Sequence, residues 1–142
     1  MSKIKTVGIV GTGVIGTGWI IRNLAHNKIV HAYDQNKNLK SYVLKEIKRT
    51  SKSIKKLFGK KILIKNLKFF NSLEKAIVNV DFVQESVLEN YKVKTDLIHK
   101  ISKYVKSDII ISSSSSGLLP SKIFSKSENP QRGIIGHPFN PA

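Results

Sequence analysis

Six residues near the N-terminus, Gly11-Thr12-Gly13-Val14-Ile15-Gly16, constrain the fold more than any other part of the chain. They follow a β-branched, apolar run from Ile4 to Val10 that reads as a buried strand. Beyond them Val14 to Ala25 reads as a helix, with Ile15, Trp19 and Leu24 among its apolar positions. A second short strand, Ile29 to Tyr33, ends at Asp34. Strand, glycine turn, helix, strand and acid make a βαβ unit of about the usual ~30 residues. Gly11 permits the tight turn, Gly13 lets a pyrophosphate approach the backbone, and Gly16 lets the helix pack close to the strand. The helix N-terminus, at Val14 and Ile15, adds favourable partial charge. A GxGxxG alone also suits a methyltransferase or a purely structural turn. Between a strand and a helix it points to a dinucleotide.

Asp34 sharpens that expectation. It lies 18 residues after Gly16, where a carboxylate accepts hydrogen bonds from adenosine ribose hydroxyls. A 2′-phosphate is repelled there, and Gln35 and Asn36 offer no compensating cation. NAD is therefore expected over NADP. The plainer reading is that Asp34 caps a loop.

The remaining chain continues to alternate. A helical pattern from Asn38 to Phe58 carries Leu39, Val43, Ile47, Ile54 and Leu57, and Gly59 breaks it. Leu67 to Phe70 suits a strand, Ser72 to Val78 a short helix and Asp81 to Ser86 another strand. Asn90 to Val105 is expected to be a helix with Val93, Leu97, Ile101 and Val105 on one face. Asp108 to Ser112 is a strand, Ser121 to Phe124 a short helix after Pro120, and Gly133 to Gly136 a last strand. Strands alternating with helices imply an α/β fold with a Rossmann-type, doubly wound, mostly parallel sheet. Ligands bind such sheets at the carboxyl ends of strands. The glycine turn, Asp34, Ser86 to Glu89, Ser112 to Ser116 and His137 to Asn140 all fall there.

Composition excludes several classes. With no cysteine there is no disulfide scaffold, thiolate zinc site or cysteine nucleophile, and no metal site is expected. A reducing, cytoplasmic setting fits. The 25 basic against 9 acidic residues give a net charge of +16, which suggests a polyanionic partner. Only Arg22, Arg49 and Arg132 are arginines, however, and the lysines are spread along the chain. Nucleic-acid readers favour arginine and aromatic-basic clusters, so a solvated lysine surface is the better reading. Val7 to Ile21 is uncharged, but it holds five ordered glycines and is too short for the ~20 residues of a membrane span. Neither a membrane nor a nucleic acid is an expected partner.

Two further segments carry chemistry. The run Ser112 to Ser116 before Gly117 is either a flexible low-complexity loop or a shaped loop at the sheet edge. His137, between Gly136 and Pro138, is either a satisfied loop histidine or an acid/base.

Five blocks in order, GTGVIGTGW, VHAYD, DFVQESVLEN followed by KVK, SSSSSGLLPS and GHPFNP, resemble the NAD-binding domain of the 3-hydroxyacyl-CoA dehydrogenase family from Val7 to Pro141. The wording of the last two is most similar to the carnitine-oxidising branch, with the lambda-crystallin-like branch next. The resemblance implies that Ser116 hydrogen-bonds the substrate oxygen and that His137, 21 residues on, is the general base. It places Asn140 beside the nicotinamide and the reacting centre. Glu89 and Lys94 fall on positions that line the cofactor site, and Ser86 on one whose backbone faces it. Ser114 stands where the acyl-CoA branch carries asparagine.

The implied activity is NAD-dependent oxidation of the 3-hydroxyl of a small hydroxy acid, carnitine first, with a 3-hydroxyacyl-CoA as the alternative. A non-catalytic NAD-binding or crystallin-like protein is the alternative of another class. In the family a glutamate about a dozen residues beyond the histidine orients the imidazole, and a helical C-terminal domain completes the pocket and the homodimer. Residues 1–142 are thus expected to be one NAD-binding domain without that helical partner.

Overall fold

The structure is a computed structural model and describes residues 4–139. Six strands, β1 (Thr6–Val10), β2 (Ile29–Tyr33), β3 (Leu67–Phe69), β4 (Phe82–Glu85), β5 (Ile110–Ser113) and β6 (Gly133–Ile135), form one sheet. Every pairing is parallel and the spatial order is β3-β2-β1-β4-β5-β6. The order reverses between β1 and β4, which opens a crevice at their carboxyl ends. The helices are α1 (Val14–Ala25), α2 (Leu39–Phe58), α3 (Leu73–Ile77), α4 (Tyr91–Tyr104) and α5 (Pro120–Ile123).

Two apolar clusters hold the layers together. Val7, Ile9 and Val30 of the sheet pack with Ile20 and Leu24 of α1 and with Val43 and Ile47 of α2. Val10, Val83 and Ile111 pack with Ile77, Ile98, Ile101 and Ile123 of α3, α4 and α5. Helix starts are fixed locally. Ser72 accepts the Lys75 amide at 3.2 Å ahead of α3, and Asn90 accepts the Val93 amide at 3.1 Å ahead of α4.

The expected elements all form, with ends displaced by two residues at most. The faces differ more. In α4 the buried residues are Lys94, Thr95, Ile98, Ile101 and Ser102, whereas Val93 is exposed. Val93 lines the crevice instead, and Leu97 both lines it and packs against the core, so part of the apolar stripe serves a ligand wall. In α2, Leu57 is 71% exposed and only Val43 and Ile47 are fully covered.

Two titratable groups outside the crevice are shifted by their surroundings: Asp81, just ahead of β4, and His31, in the middle of β2. Asp81 accepts the Lys5 and Thr6 amides, each at 2.8 Å, and these bonds lower its pKa. Burial lowers the pKa of His31, against its contact to the Ala76 carbonyl and with help from the Lys68 charge. Both folded values lie below the unfolded ones, so both groups favour the folded chain at higher pH. The Asp81 contribution is complete above its unfolded pKa of ~3.9 and is lost as pH falls through the folded value. The His31 contribution is complete above ~6.5 and is lost below that. Urea midpoints are expected to fall in two steps on acidification, and His31→Gln is expected to remove the upper step. An unchanged upper step in that variant would contradict the assignment.

Candidate active site

A cavity of about 820 Å³ lies beyond the carboxyl ends of β1, β2 and β4. Gly11, Gly13, Asp34, Leu39, Ser86 and Leu97 are among its walls. Gly11 has φ +87°, and a Cβ there stands 2.7 Å from the Ser86 carbonyl oxygen. At Gly16 a Cβ stands 1.8 Å from the carbonyl oxygen of Gly11. These two glycines are required by the protein itself. Gly13 is different: its φ is −65° and a Cβ there meets nothing within 4 Å. The protein has no steric need of glycine at 13, and the space beside it opens on the cavity. No side chain caps α1, which leaves the first amides, at Val14 and Ile15, to an outside acceptor. Open space over Gly13 and an uncapped helix N-terminus fit the pyrophosphate of a dinucleotide.

Asp34, at the end of β2, is half-buried. Its Oδ2 accepts the Thr12 amide at 2.6 Å and the Thr12 hydroxyl at 3.3 Å, while Oδ1 accepts the Asn36 amide at 2.8 Å. The carboxylate therefore ties the glycine turn to β2. Of its about four acceptor sites, one is left over for a ligand hydroxyl.

The second half of the edge is built on a buried ion pair that sequence reading missed. Glu85, the last residue of β4, is fully buried, and Lys94, in the first turn of α4, is 1% exposed. Lys94 Nζ lies 2.8 and 3.1 Å from the two Glu85 oxygens and also donates to the Val87 carbonyl at 3.2 Å. The Val87 amide at 2.6 Å and the Ser113 hydroxyl at 2.6 Å complete the shell of Glu85. All donors are matched, as a buried charge pair demands. The sequence signal was available: an acid closing a buried strand, and a lysine nine residues on at a helix position that faces inward.

Glu89 stands above this pair. Its Oε1 accepts the Ser115 hydroxyl at 2.6 Å and the amides of Ser116 and Gly117 at 2.8 and 3.2 Å; Oε2 is 3.5 Å from Lys94 Nζ. Burial works to raise its pKa, but the loop hydrogen bonds and the Lys94 charge together bring it down to about 2. Neither Glu89 nor Lys94 lines the large cavity, because each is turned toward protein partners. Val14, Ile15 and Gly16 also lie off its walls, whereas Gly11, Gly13, Asp34 and Ser86 form them.

The serine run is a shaped segment. Ser112 and Ser113 belong to β5, Ser115 is buried, and Ser116 is exposed. Ser114 Oγ receives the Trp19 indole N–H at 3.2 Å and the Gln84 amide group at 2.8 Å. Both acceptor sites being filled, it donates to Ser86 Oγ at 2.8 Å. The Ser114 carbonyl oxygen lies 3.0 Å from Nδ1 of the exposed His137. A carbonyl only accepts, so this contact puts the proton on Nδ1 and leaves Nε2 of the neutral ring open. Among the described residues no hydrogen bond joins Ser116 to His137. Asn140 lies outside the described residues. No group of three or more metal-ligating side chains occurs among the described residues.

A parallel sheet with this glycine turn, an acid ending β2 and a cavity at the switch point defines a Rossmann-type dinucleotide-binding domain. Residues 6–142 match the model of the 3-hydroxyacyl-CoA dehydrogenase NAD-binding domain. The chain belongs to the 3-hydroxyacyl-CoA dehydrogenase family and carries its NAD-binding domain. It is 40% identical over 142 residues to L-carnitine dehydrogenase of Pseudomonas putida, covering 99% of this chain and 44% of that protein. With L-carnitine dehydrogenase of Oceanobacillus iheyensis the identity is 37% over 139 residues, covering 97% and 45%. The chain thus spans less than half the length of the curated relatives it matches. Among solved structures, 3-hydroxybutyryl-CoA dehydrogenase of Escherichia coli shares the fold at a TM-score of 0.88 and 22% identity, over 99% of this chain and 31% of that one. The dehydrogenase part of multifunctional enzyme 1 of C. elegans gives 0.86 at 28% identity, over 99% and 33%.

Proposed function

We propose that this chain is the cofactor half of an NAD-dependent oxidoreductase that oxidises the 3-hydroxyl of a small acid to a ketone. L-Carnitine is the first substrate and a 3-hydroxyacyl-CoA of fatty-acid metabolism the second. The observation that carries the reading is the His137 contact to the Ser114 carbonyl, which leaves Nε2 open at the sheet edge. Nε2 takes the hydroxyl proton, and the Ser114 carbonyl then steadies the charged ring through Nδ1. Ser116 Oγ, exposed on a loop whose amides are fixed, hydrogen-bonds the substrate oxygen. NAD supplies the hydride acceptor when bound. Asn140 completes the reacting centre. The names of the relatives favour carnitine over a thioester. The setting is the cytoplasm, the whole enzyme is a homodimer, and the lysine surface is solvated without a nucleic-acid or membrane role. No helix among the described residues is long and apolar enough to cross a membrane.

Alone, the chain is expected to bind NAD and to show negligible turnover, because it matches under half of each relative. Joined to the remaining length of the Pseudomonas putida relative, it is expected to reduce NAD with L-carnitine. In that chimera His137→Gln is expected to cost on the order of 10²–10⁴ in rate with NAD affinity nearly unchanged. A rate that survives this substitution would remove His137 as the base. Faster turnover of 3-hydroxybutyryl-CoA would transfer the substrate assignment.

Cofactor choice is a separate test. Calorimetry is expected to show NAD bound more tightly than NADP, and Asp34→Ala is expected to narrow the gap. Because Asp34 also ties Thr12 to β2, the variant is expected to lose some NAD affinity as well. Equal or tighter NADP binding by the unaltered chain would defeat the ribose assignment.

A further inference from the structure

Ser116 sits in the segment Ser114 to Leu119, a run of three serines, a glycine and two leucines with little conformational preference of its own. Ser114 is held by Trp19, Gln84 and the Glu85 carbonyl, and beyond it the segment is fixed largely by Glu89, in the connection between β4 and α4, and by Tyr91 at the start of α4. One oxygen of Glu89 collects the Ser115 hydroxyl and the amides of Ser116 and Gly117. The Leu119 amide donates to Tyr91 Oη at 3.1 Å. Inside the segment the Leu118 amide donates to Ser115 Oγ at 3.2 Å, so the clamped hydroxyl in turn holds the next residue.

Hydrogen bonds to an ionised acceptor are stronger than neutral ones, and three on one oxygen need a carboxylate held in place. Its other oxygen faces Lys94, whose ammonium is held from behind by Glu85. The charged and titratable groups around Glu89 are therefore Lys94 and Tyr91 from α4, and Glu85 from β4 behind Lys94.

We propose that Glu89 is a positioning residue for Ser116: its carboxylate, seated on the buried Lys94–Glu85 pair, shapes the Ser115–Gly117 loop and so sets where the Ser116 hydroxyl meets substrate. The proposal rests on the reading that Ser116 binds the substrate oxygen. It separates two roles that the family resemblance runs together, since a cofactor ligand and a loop clamp respond differently to substitution.

Amide hydrogen exchange of the ligand-free chain decides first. Glu89→Ala is expected to speed exchange at Ser116 and Gly117 by roughly tenfold or more, with the amides of Val83 to Glu85 unchanged. Glu89→Gln keeps one oxygen and is expected to fall between. Tyr91→Phe is expected to release Leu119 alone. NAD affinity is expected to change less than about threefold in Glu89→Ala, below the tenfold that one lost charged hydrogen bond produces. In the chimera, Glu89→Ala is expected to lower kcat with L-carnitine and leave the KM for NAD in place, and Glu89→Gln to restore part of kcat. Unchanged exchange at Ser116 and Gly117, or a tenfold loss of NAD affinity, would overturn the proposal. If Glu89→Ala does not fold, Glu89→Gln decides by the same criteria. An unaltered chain that fails to bind NAD would sink the functional reading and leave the exchange result standing. Faster exchange with unchanged kcat would overturn the positioning of Ser116.

Discussion

Gly13→Val is expected to fold like the unaltered chain and to lose NAD affinity by on the order of 100-fold or more. The effect is steric and has two sides. A Cβ at 13 meets no protein atom within 4 Å and the backbone there is one that any residue adopts, so folding is spared. The same space is where a pyrophosphate must come close to the amides that open α1. Gly16→Ala is the opposite case, since its Cβ stands 1.8 Å from the carbonyl oxygen of Gly11. Overpacking against backbone has no rotamer escape, and the cost is expected to be roughly 3 kcal/mol or more. Thermal unfolding and NAD calorimetry on the two variants separate the glycine that serves the ligand from the glycine that serves the fold. If Gly13→Val binds NAD normally, the turn is structural and the cofactor lies elsewhere.

The second large effect belongs to the ion pair. Lys94→Met is expected to destabilise the domain by roughly 3–5 kcal/mol, because it leaves the Glu85 carboxylate fully buried without a cation. Removing both charges, as Glu85→Gln with Lys94→Met, is expected to recover much of that loss. Urea unfolding of the two single variants and the double closes the cycle. A cost below about 1 kcal/mol for Lys94→Met would mean that water or another group already serves Glu85. The Gln84-Glu85-Ser86 stretch shows why such a pair is built where it is. Successive side chains leave a strand on opposite faces, so Glu85 is sent under the β4–α4 connection while Gln84 reaches Ser114 on the other side.

The elements were legible because the local signals agreed. Val14 to Ala25 and Ile29 to Tyr33 form as expected, with glycine at one end and an acid at the other. The parallel sheet followed from alternation alone. Side-chain destinations were less legible. Periodicity marks Val93 and Leu97 as apolar without saying whether the core or a ligand wall receives them; here Val93 goes to the wall and Leu97 to both. The same blindness hides Lys94, which a surface-charge reading assigns to solvent although its whole stem and ammonium are enclosed. Glu89 and Lys94 came to notice through family wording, which points at positions and not at partners. The Glu89 hydrogen bonds depend on two connections brought together by the sheet, and no spacing along the chain encodes that.

Trp19 is the single tryptophan of the chain, and its indole N–H is spent on Ser114, the residue whose carbonyl holds His137. The protein thus carries its own fluorophore two hydrogen bonds away from the proposed base, with Ser114 between them. Emission excited in the red edge of the aromatic band reports on that one side chain without labelling. Any rearrangement of Ser114 when cofactor or substrate arrives alters the polarity and hydrogen bonding seen by the indole. Stopped-flow fluorescence can then time the assembly of the reacting centre separately from hydride transfer, which is followed by nicotinamide absorbance.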